Sequence, residues 1–365
     1  MKTKFYWREN MESTQKKSFI PPCRQAYSAK QLNLFQDFLC NTPHEKQRLS
    51  NTIELWDAVP KYFINKRRQG QLRKDGYLPT AERTFQFRGK EVTVKIRPAR
   101  ITVDNKDKEF YPAAREELVE DTLRKLACQS GDGYLEDKRS GVRFTLHQLR
   151  NELKNNGHTL SYYEVMEALR ILVAATIEIS SVDGTTDYTT APLTTLIRVS
   201  KNDIKENPGS RWYADFSSLV TEGIQLIQYR QYDYTLNMVL KSQLARYIHK
   251  RMCHNYVQAS LLHTYNITMS GVARDSGLLE CKRSKDNRKM LENALDELRS
   301  NNIILYYQGS ELRGKRNALN DVRYKITPHH DFIAQVKRAN KRLKTNLTFP
   351  PLEASGPKKQ RYERR

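Results

Sequence analysis

Apolar residues recur at helical spacing in two separate stretches of the chain, and each time a turn, a second helix and strands follow. In the first stretch Leu146, Leu149 and Leu153 line one face of a short helix, and Val165, Leu169, Leu172 and Val173 line the next. Thr145 with Gln148, and Ser161 with Glu164, have the spacing of reciprocal N-terminal caps, while Gly157 is placed for a left-handed helix end. A strand at residues 177–179, a turn at Asp183-Gly184 and a strand over residues 195–199 complete the unit. The second stretch repeats the plan. A helix over residues 268–276 turns Val272 inward, Gly277 makes the turn, and a helix over residues 284–300 buries Leu291, Ala294, Leu295 and Leu298. Strands at residues 303–307 and 322–326 follow, joined by a basic loop.

Between and around these units the pattern is less regular. Residues 1–25 are polar and end in Pro21-Pro22, which predicts a flexible arm, and Leu32, Phe35 and Leu39 share a face of a short helix over residues 31–39. A basic stretch at residues 61–74 contains Lys66-Arg67-Arg68. Alternation across residues 84–96, interrupted at Gly89, predicts a β-hairpin, and a short strand follows at residues 101–103. Leu118, Val119, Leu123 and Leu126 mark a helix after Pro112. Asn207-Pro208-Gly209 punctuates the middle of the chain. Beyond it, residues 216–229 read as strand and residues 234–256 as one long helix. One more helix after Pro328 leads into a Pro-containing basic tail.

These elements predict an α+β fold of two tandem winged-helix domains with an N-terminal extension and a basic C-terminal tail. The expected sections are an arm and helical extension at 1–82, a first winged helix at 83–207, a second at 208–330 that carries the main DNA recognition, and a tail at 331–365.

Charge changes the picture most. The 365 residues carry a formal net charge of +22, which calls for a polyanionic partner, nucleic acid before an anionic membrane surface. No basic amphipathic helix stands apart from the cores, as a membrane-surface reading would require. Neither a spanning apolar run nor a signal peptide is evident, so the expectation is a cytoplasmic protein acting on nucleoid or plasmid DNA. Five dispersed cysteines without a Cys-x-x-Cys pair point to reduced thiols rather than a zinc knuckle.

In a winged helix the second helix enters the major groove and the hairpin beside it contacts the backbone. With Leu291 inward, a 100° step places Lys285 and Lys289 outward and Arg288 on the flank. Lys282 and Arg283 precede them, the wing loop adds Arg313, Lys315 and Arg316, and the returning strand adds Arg323 and Lys325. These ten residues are the candidate DNA-binding set. The first unit differs: its second helix turns Tyr163, Glu167 and Arg170 outward with Glu164 beside them, and its wing holds Asp183 and Asp187. Carboxylates facing phosphates would oppose binding, so a protein interface, and possible dimerisation, is expected there.

Residues 309–316 come within one position of a phosphate-binding loop, but Arg316 stands where a hydroxyl residue would hold Mg²⁺. A wing tip is the better reading. His329-His330 lacks the spacing of a nicking enzyme's metal motif, and no Ser-His-Asp set appears, so neither enzyme activity nor a cofactor is expected.

The run from Phe110 to Ala127 (Phe-Tyr-Pro-Ala-Ala-Arg-Glu-Glu-Leu-Val-Glu-Asp-Thr-Leu-Arg-Lys-Leu-Ala), the run from Phe144 to Leu153, and Ser270-Gly-Val-Ala-Arg-Asp-Ser-Gly-Leu278 together resemble the plasmid replication initiator (Rep) proteins of Gram-negative bacteria, over about residues 83–330. The resemblance implies a non-enzymatic initiator with paired winged helices that binds repeated double-stranded origin sites, or iterons. It also implies opening of an adjacent AT-rich region, loading of the host replicative helicase with the host initiator DnaA, and monomer–dimer self-association. A tandem winged-helix repressor without initiator activity is the nearest alternative. A nicking or priming enzyme and a sequence-blind nucleoid or RNA-binding protein are more distant ones.

Overall fold

A computed structural model describes residues 47–128, 132–136, 139–182, 184, 187–199, 211–226, 228–313 and 319–348. The N-terminal arm, the helix expected over residues 31–39, Asn207-Pro208-Gly209, Asp183, Lys315, Arg316 and the tail beyond residue 348 lie outside them.

The architecture is mixed α+β, with small antiparallel sheets between helices. Strand β1 (Leu49–Ile53) leads into helix α1 (Glu54–Ala58) and then α2 (Lys66–Leu72). Strands β2 (Ala81–Phe87), β3 (Lys90–Arg97), β4 (Ala99–Val103) and β5 (Lys106–Phe110) precede the long helix α3 (Ala114–Ala127). After β6 (Gly133–Glu136) and β7 (Arg139–Phe144) comes the first helix-turn-helix, α4 (Leu146–Asn155) and α5 (Tyr162–Ala174), followed by β8 (Thr176–Ser181) and β9 (Asp187–Thr190). Both capping boxes form as the spacing predicts. The Thr145 and Ser161 hydroxyls accept from the Gln148 and Glu164 amides, and Gly157 takes φ +86°.

The first hairpin is built differently from expectation. β8 turns back into β9 rather than into the strand at residues 195–199, and both extend the β2–β3 hairpin into a four-stranded sheet in the order β2-β3-β8-β9. Strand β10 (Leu193–Ile197) instead joins β11 (Trp212–Phe216), β7 and β6 in a second sheet, in which the paired Leu193 and Phe216 are both buried. This sheet therefore spans the expected section boundary at 207–208.

Two further expectations are corrected. Residues 216–229 are mostly helical: Ser217 caps α6 (Ser218–Gln225), whose Gly223 lets Ile53 sit against the helix backbone. Residues 234–256 form two helices, α7 (Tyr234–Val239) and α8 (Gln243–Asn255), rather than one. The break at residues 240–242 is held by Glu297, whose carboxylate accepts from the amides of Lys241 and Ser242, while the Ser242 hydroxyl caps α8. Between α6 and α7, β12 (Tyr229–Asp233) pairs with β1, so the segment from Leu49 is stitched into the second half.

The second helix-turn-helix follows β13 (Tyr265–Thr268). It comprises α9 (Met269–Ser276), a turn through Gly277 at φ +68°, and α10 (Ser284–Ser300). β14 (Ile304–Arg313) and β15 (Leu319–Pro328) make its hairpin, with sheet order β13-β15-β14, and α11 (His330–Thr348) closes the described chain.

One apolar core runs from Ile53 to Val336 and includes both units. At its centre four carboxylates, Asp57, Glu117, Glu120 and Asp121, meet four cations, Lys61, Arg124, Arg246 and Lys250. Arg124 reaches both Asp57 oxygens at 2.8 and 2.7 Å and Asp121 at 2.6 Å, and Lys250 on α8 reaches Asp121 at 2.5 Å. Burial opposes ionisation of Asp57, yet the nearby charges of Arg124 and Lys250 hold its carboxyl well below the usual range. This network ties α3 of the first unit to α8 of the second. Among the described residues, no helix is long and apolar enough to cross a membrane.

Candidate nucleic-acid interface

Helix α10 is the centre of the candidate site. Leu291, Ala294, Leu295 and Leu298 are buried as the periodicity predicts, which leaves the opposite face of its first turns outward. Lys282, Arg283, Lys285 and Lys289 are all exposed. The turn that presents them is pinned by Asn287, whose carbonyl accepts from the Cys281 amide at 2.9 Å while its amide donates back to the Cys281 carbonyl at 3.1 Å. The first helix is fixed as firmly: the Thr268 hydroxyl accepts from the Gly271 amide, and Asp321 of β15 accepts from the backbone and hydroxyl of Ser270.

Arg288 has a different setting from its lysine neighbours. Its guanidinium donates to Glu292 at 2.9 Å and to Glu311 of β14 at 2.6 Å. Arg313 binds the other oxygen of Glu311 at 2.6 Å, and the Tyr324 hydroxyl donates to Glu292 at 3.1 Å. The hydrogen bonds to Glu292 and Glu311 raise the Arg288 pKa further, and those from Arg288 and Arg313 lower that of Glu311. The result is an ionic clasp between α10 and the hairpin. Arg288 therefore positions the hairpin as well as carrying charge, and its removal tests both properties at once.

The strand register sorts the remaining candidates. Tyr324 touches α10, and on the neighbouring strand Tyr307 donates to Asp296 of the same helix, so this face of the sheet looks toward α10. Glu311 and Arg313 lie on that face. Arg323 and Lys325 alternate with Val322, Tyr324 and Ile326 and are exposed on the opposite face, with Ser310 and Gln308 across from them. The fold thus brings together Lys282, Arg283, Lys285, Arg288, Lys289 and Arg313. It sets Arg323 and Lys325 behind the sheet. Lys315 and Arg316 are outside the described residues.

In the first unit Tyr163 and Arg170 are exposed on α5 as expected, but Glu167 is not an open carboxylate. Arg115 of α3 donates to it at 2.6 Å. A further face of α5 is covered, since Ile171 and Ala175 pack against Ala99 and Ile101 of β4. Of the decoys, residues 309–313 lie in strand β14, with a register shift between Leu312 and Arg313. His329, His330 and Asp331 bring ligand atoms within 4.8 Å of one another, but as consecutive residues at one helix start.

Sequence reasoning missed Glu311, Glu292 and Asp321, the acids that hold the hairpin to the helices. The four-residue spacing of Arg288 and Glu292 was the one signal available. Glu311 and Asp321 meet their partners only through the hairpin.

No protein-family model matches this chain, and no curated protein matches it either. Among solved structures it is similar to domains 2 and 3 of RctB, at 10% identity and a TM-score of 0.44, covering 74% of this chain and 99% of that one. A second structure of RctB domains 2–3 gives 13% identity and a TM-score of 0.37, covering 71% and 94%. The Pi initiator protein in complex with iteron DNA gives 11% identity and a TM-score of 0.42, covering 60% and 91%. At such values the likeness transfers no function, which has to come from the side chains.

Proposed function

We propose that this chain is a plasmid replication initiator that binds repeated origin sequences in duplex DNA through its second helix-turn-helix. The observation that carries the reading is the N-terminal half of α10. Lys282, Arg283, Lys285 and Lys289 stand exposed on a helix whose other side is anchored by Leu291 and Leu295, with Arg313 clasped beside it. A rigid helix with cations at its leading turns can meet base edges and phosphates together, and the hairpin adds backbone contacts. The resemblance of the runs at residues 110–127, 144–153 and 270–278 to Rep proteins supports an origin as the target. The first unit, with its reading helix engaged by Arg115 and β4, serves protein contact and self-association, and host DnaA and helicase are the expected partners at the origin.

The test is footprinting of the full chain on DNA from its own replicon. Protection at directly repeated sites, followed by permanganate reactivity in an adjoining AT-rich segment, is expected. Protection without opening would make the protein a repressor, and binding indifferent to sequence would overturn the assignment of α10 as a reading helix.

A further inference from the structure

The basic stretch at residues 61–74 plays no part in the reading above, and the structure sorts its charges sharply. Lys61 is buried in the central ion network. Arg68 pairs with Glu280, which also receives Arg83, and Arg73 donates to the Glu109 carbonyl at 2.6 Å while lying over the Phe110 ring. Lys66, Arg67 and Lys74 are left exposed.

Helix α2 is held rigidly on its inner side. Gln69 is 4% exposed, its amide donates to the carbonyls of Ile64 and Tyr111 at 3.0 Å each, and its carbonyl accepts from the Tyr111 amide at 3.2 Å. Asn65 caps the helix by accepting from the Arg68 amide at 2.9 Å. A 100° step puts Arg67 and Gln71 opposite Gln69, with Gly70 and Lys66 on one flank, and all four are exposed.

Gly70 is the telling residue. It stands inside a helix, where glycine is less favourable than alanine. Its φ is not positive, and a Cβ built there meets nothing within 4 Å. Nothing among the described residues therefore uses its small size. The Arg68–Glu280 pair also ties α2 to the segment that leads into the turn carrying Lys282 and Arg283.

We infer that the outer face of α2 is a second DNA-contacting surface, with Lys66 and Arg67 on phosphates and Gly70 letting the sugar-phosphate backbone approach the helix closely. The surface is sequence-blind. It adds affinity and orientation to the reading helix rather than base recognition. The inference rests on α10 being bound to duplex DNA, and the experiment separates the two.

Full-length protein is used to select a duplex from random sequence, and binding to that duplex is titrated across salt for Lys66→Ala/Arg67→Ala, Gly70→Ala and Lys285→Ala. The double variant should make the salt slope shallower by roughly two while leaving base preference intact. Gly70→Ala should raise Tm by about 2 °C yet weaken binding by about 3- to 10-fold, an opposition a purely structural glycine would not show. Hydroxyl-radical protection should shrink in both at the same phosphates. If Gly70→Ala stabilises without touching affinity and the double variant keeps the wild-type slope, α2 is an ordinary solvated helix and the inference falls, while α10 stands as long as Lys285→Ala still alters preference. If Lys285→Ala also has no effect, the α10 reading falls with it.

Discussion

The two helix-turn-helix units share a plan and differ in what happens to the outward side of the second helix. On α5 the flank carrying Glu167 is occupied by Arg115, and Ile171 is roofed by β4. On α10 the leading turns expose Lys285 and Lys289 beside Asp286, and Arg288 joins the helix to its own hairpin. The same supersecondary unit thus has its polar face covered in one case and left open in the other, and the proposed reading role falls to the open one. The decision lies in which side chains from other elements land on the polar face. Apolar periodicity is the same in both.

The seam between the units is where the largest effect is expected. Arg124→Met would leave Asp57 and Asp121 buried without their shared cation, and unfolding in denaturant should show a loss of about 3–5 kcal/mol. A loss below about 1 kcal/mol would mean that the units do not depend on this network.

The same seam should make stability sensitive to acid. Burial, aided by the neighbouring Lys250 charge, pushes His249 down to about 3, and burial pushes His254 down to about 4 against the pull of Asp57 and Glu54. Both values lie below the unfolded histidine value of about 6.5, so the unfolded chain takes up protons first as pH falls. Stability is therefore complete above pH about 6.5 and is lost on the way toward pH 4, by about 2 kcal/mol per histidine at pH 5. Thermal melts of His249→Gln should show a clearly flatter decline over that window. An unchanged slope would remove His249 from the explanation.

On DNA the units should separate. Lys285→Ala should weaken specific binding by about 1–3 kcal/mol and relax preference at one position, if it reads a base. Arg170→Ala on α5 should change affinity by less than about 0.5 kcal/mol. Equal losses in competition titrations would erase the distinction drawn between the helices.

The smallest effect is expected at the clasp. Glu311→Gln removes a charge that both Arg288 and Arg313 hold, and freeing them should steepen the salt dependence of DNA binding by roughly one. A shallower slope would show that the clasp presents the hairpin to DNA and does not mask it.

Much of this was legible along the chain, because it depends on neighbours in sequence. The caps at Thr145 and Ser161, the turn at Gly277, the bounds of α10 and its buried stripe all follow from local spacing. Helix α6 was misread because a short apolar run has no period long enough to separate strand from helix. The break before α8 was missed because Glu297, which stabilises it, is some 55 residues away.

Sequence alone therefore determined the two repeated units, the excess of positive charge and the outward direction of Lys285 and Lys289. Tertiary structure decided which charges remain available. It neutralised Glu167 with Arg115, spent Arg68 on Glu280 and Arg288 on Glu311, and turned Arg323 and Lys325 to the far side of a sheet. Local rules set the direction of a side chain relative to its own helix or strand, whereas ion pairing and sheet order are set by segments that meet only when the chain has closed on itself.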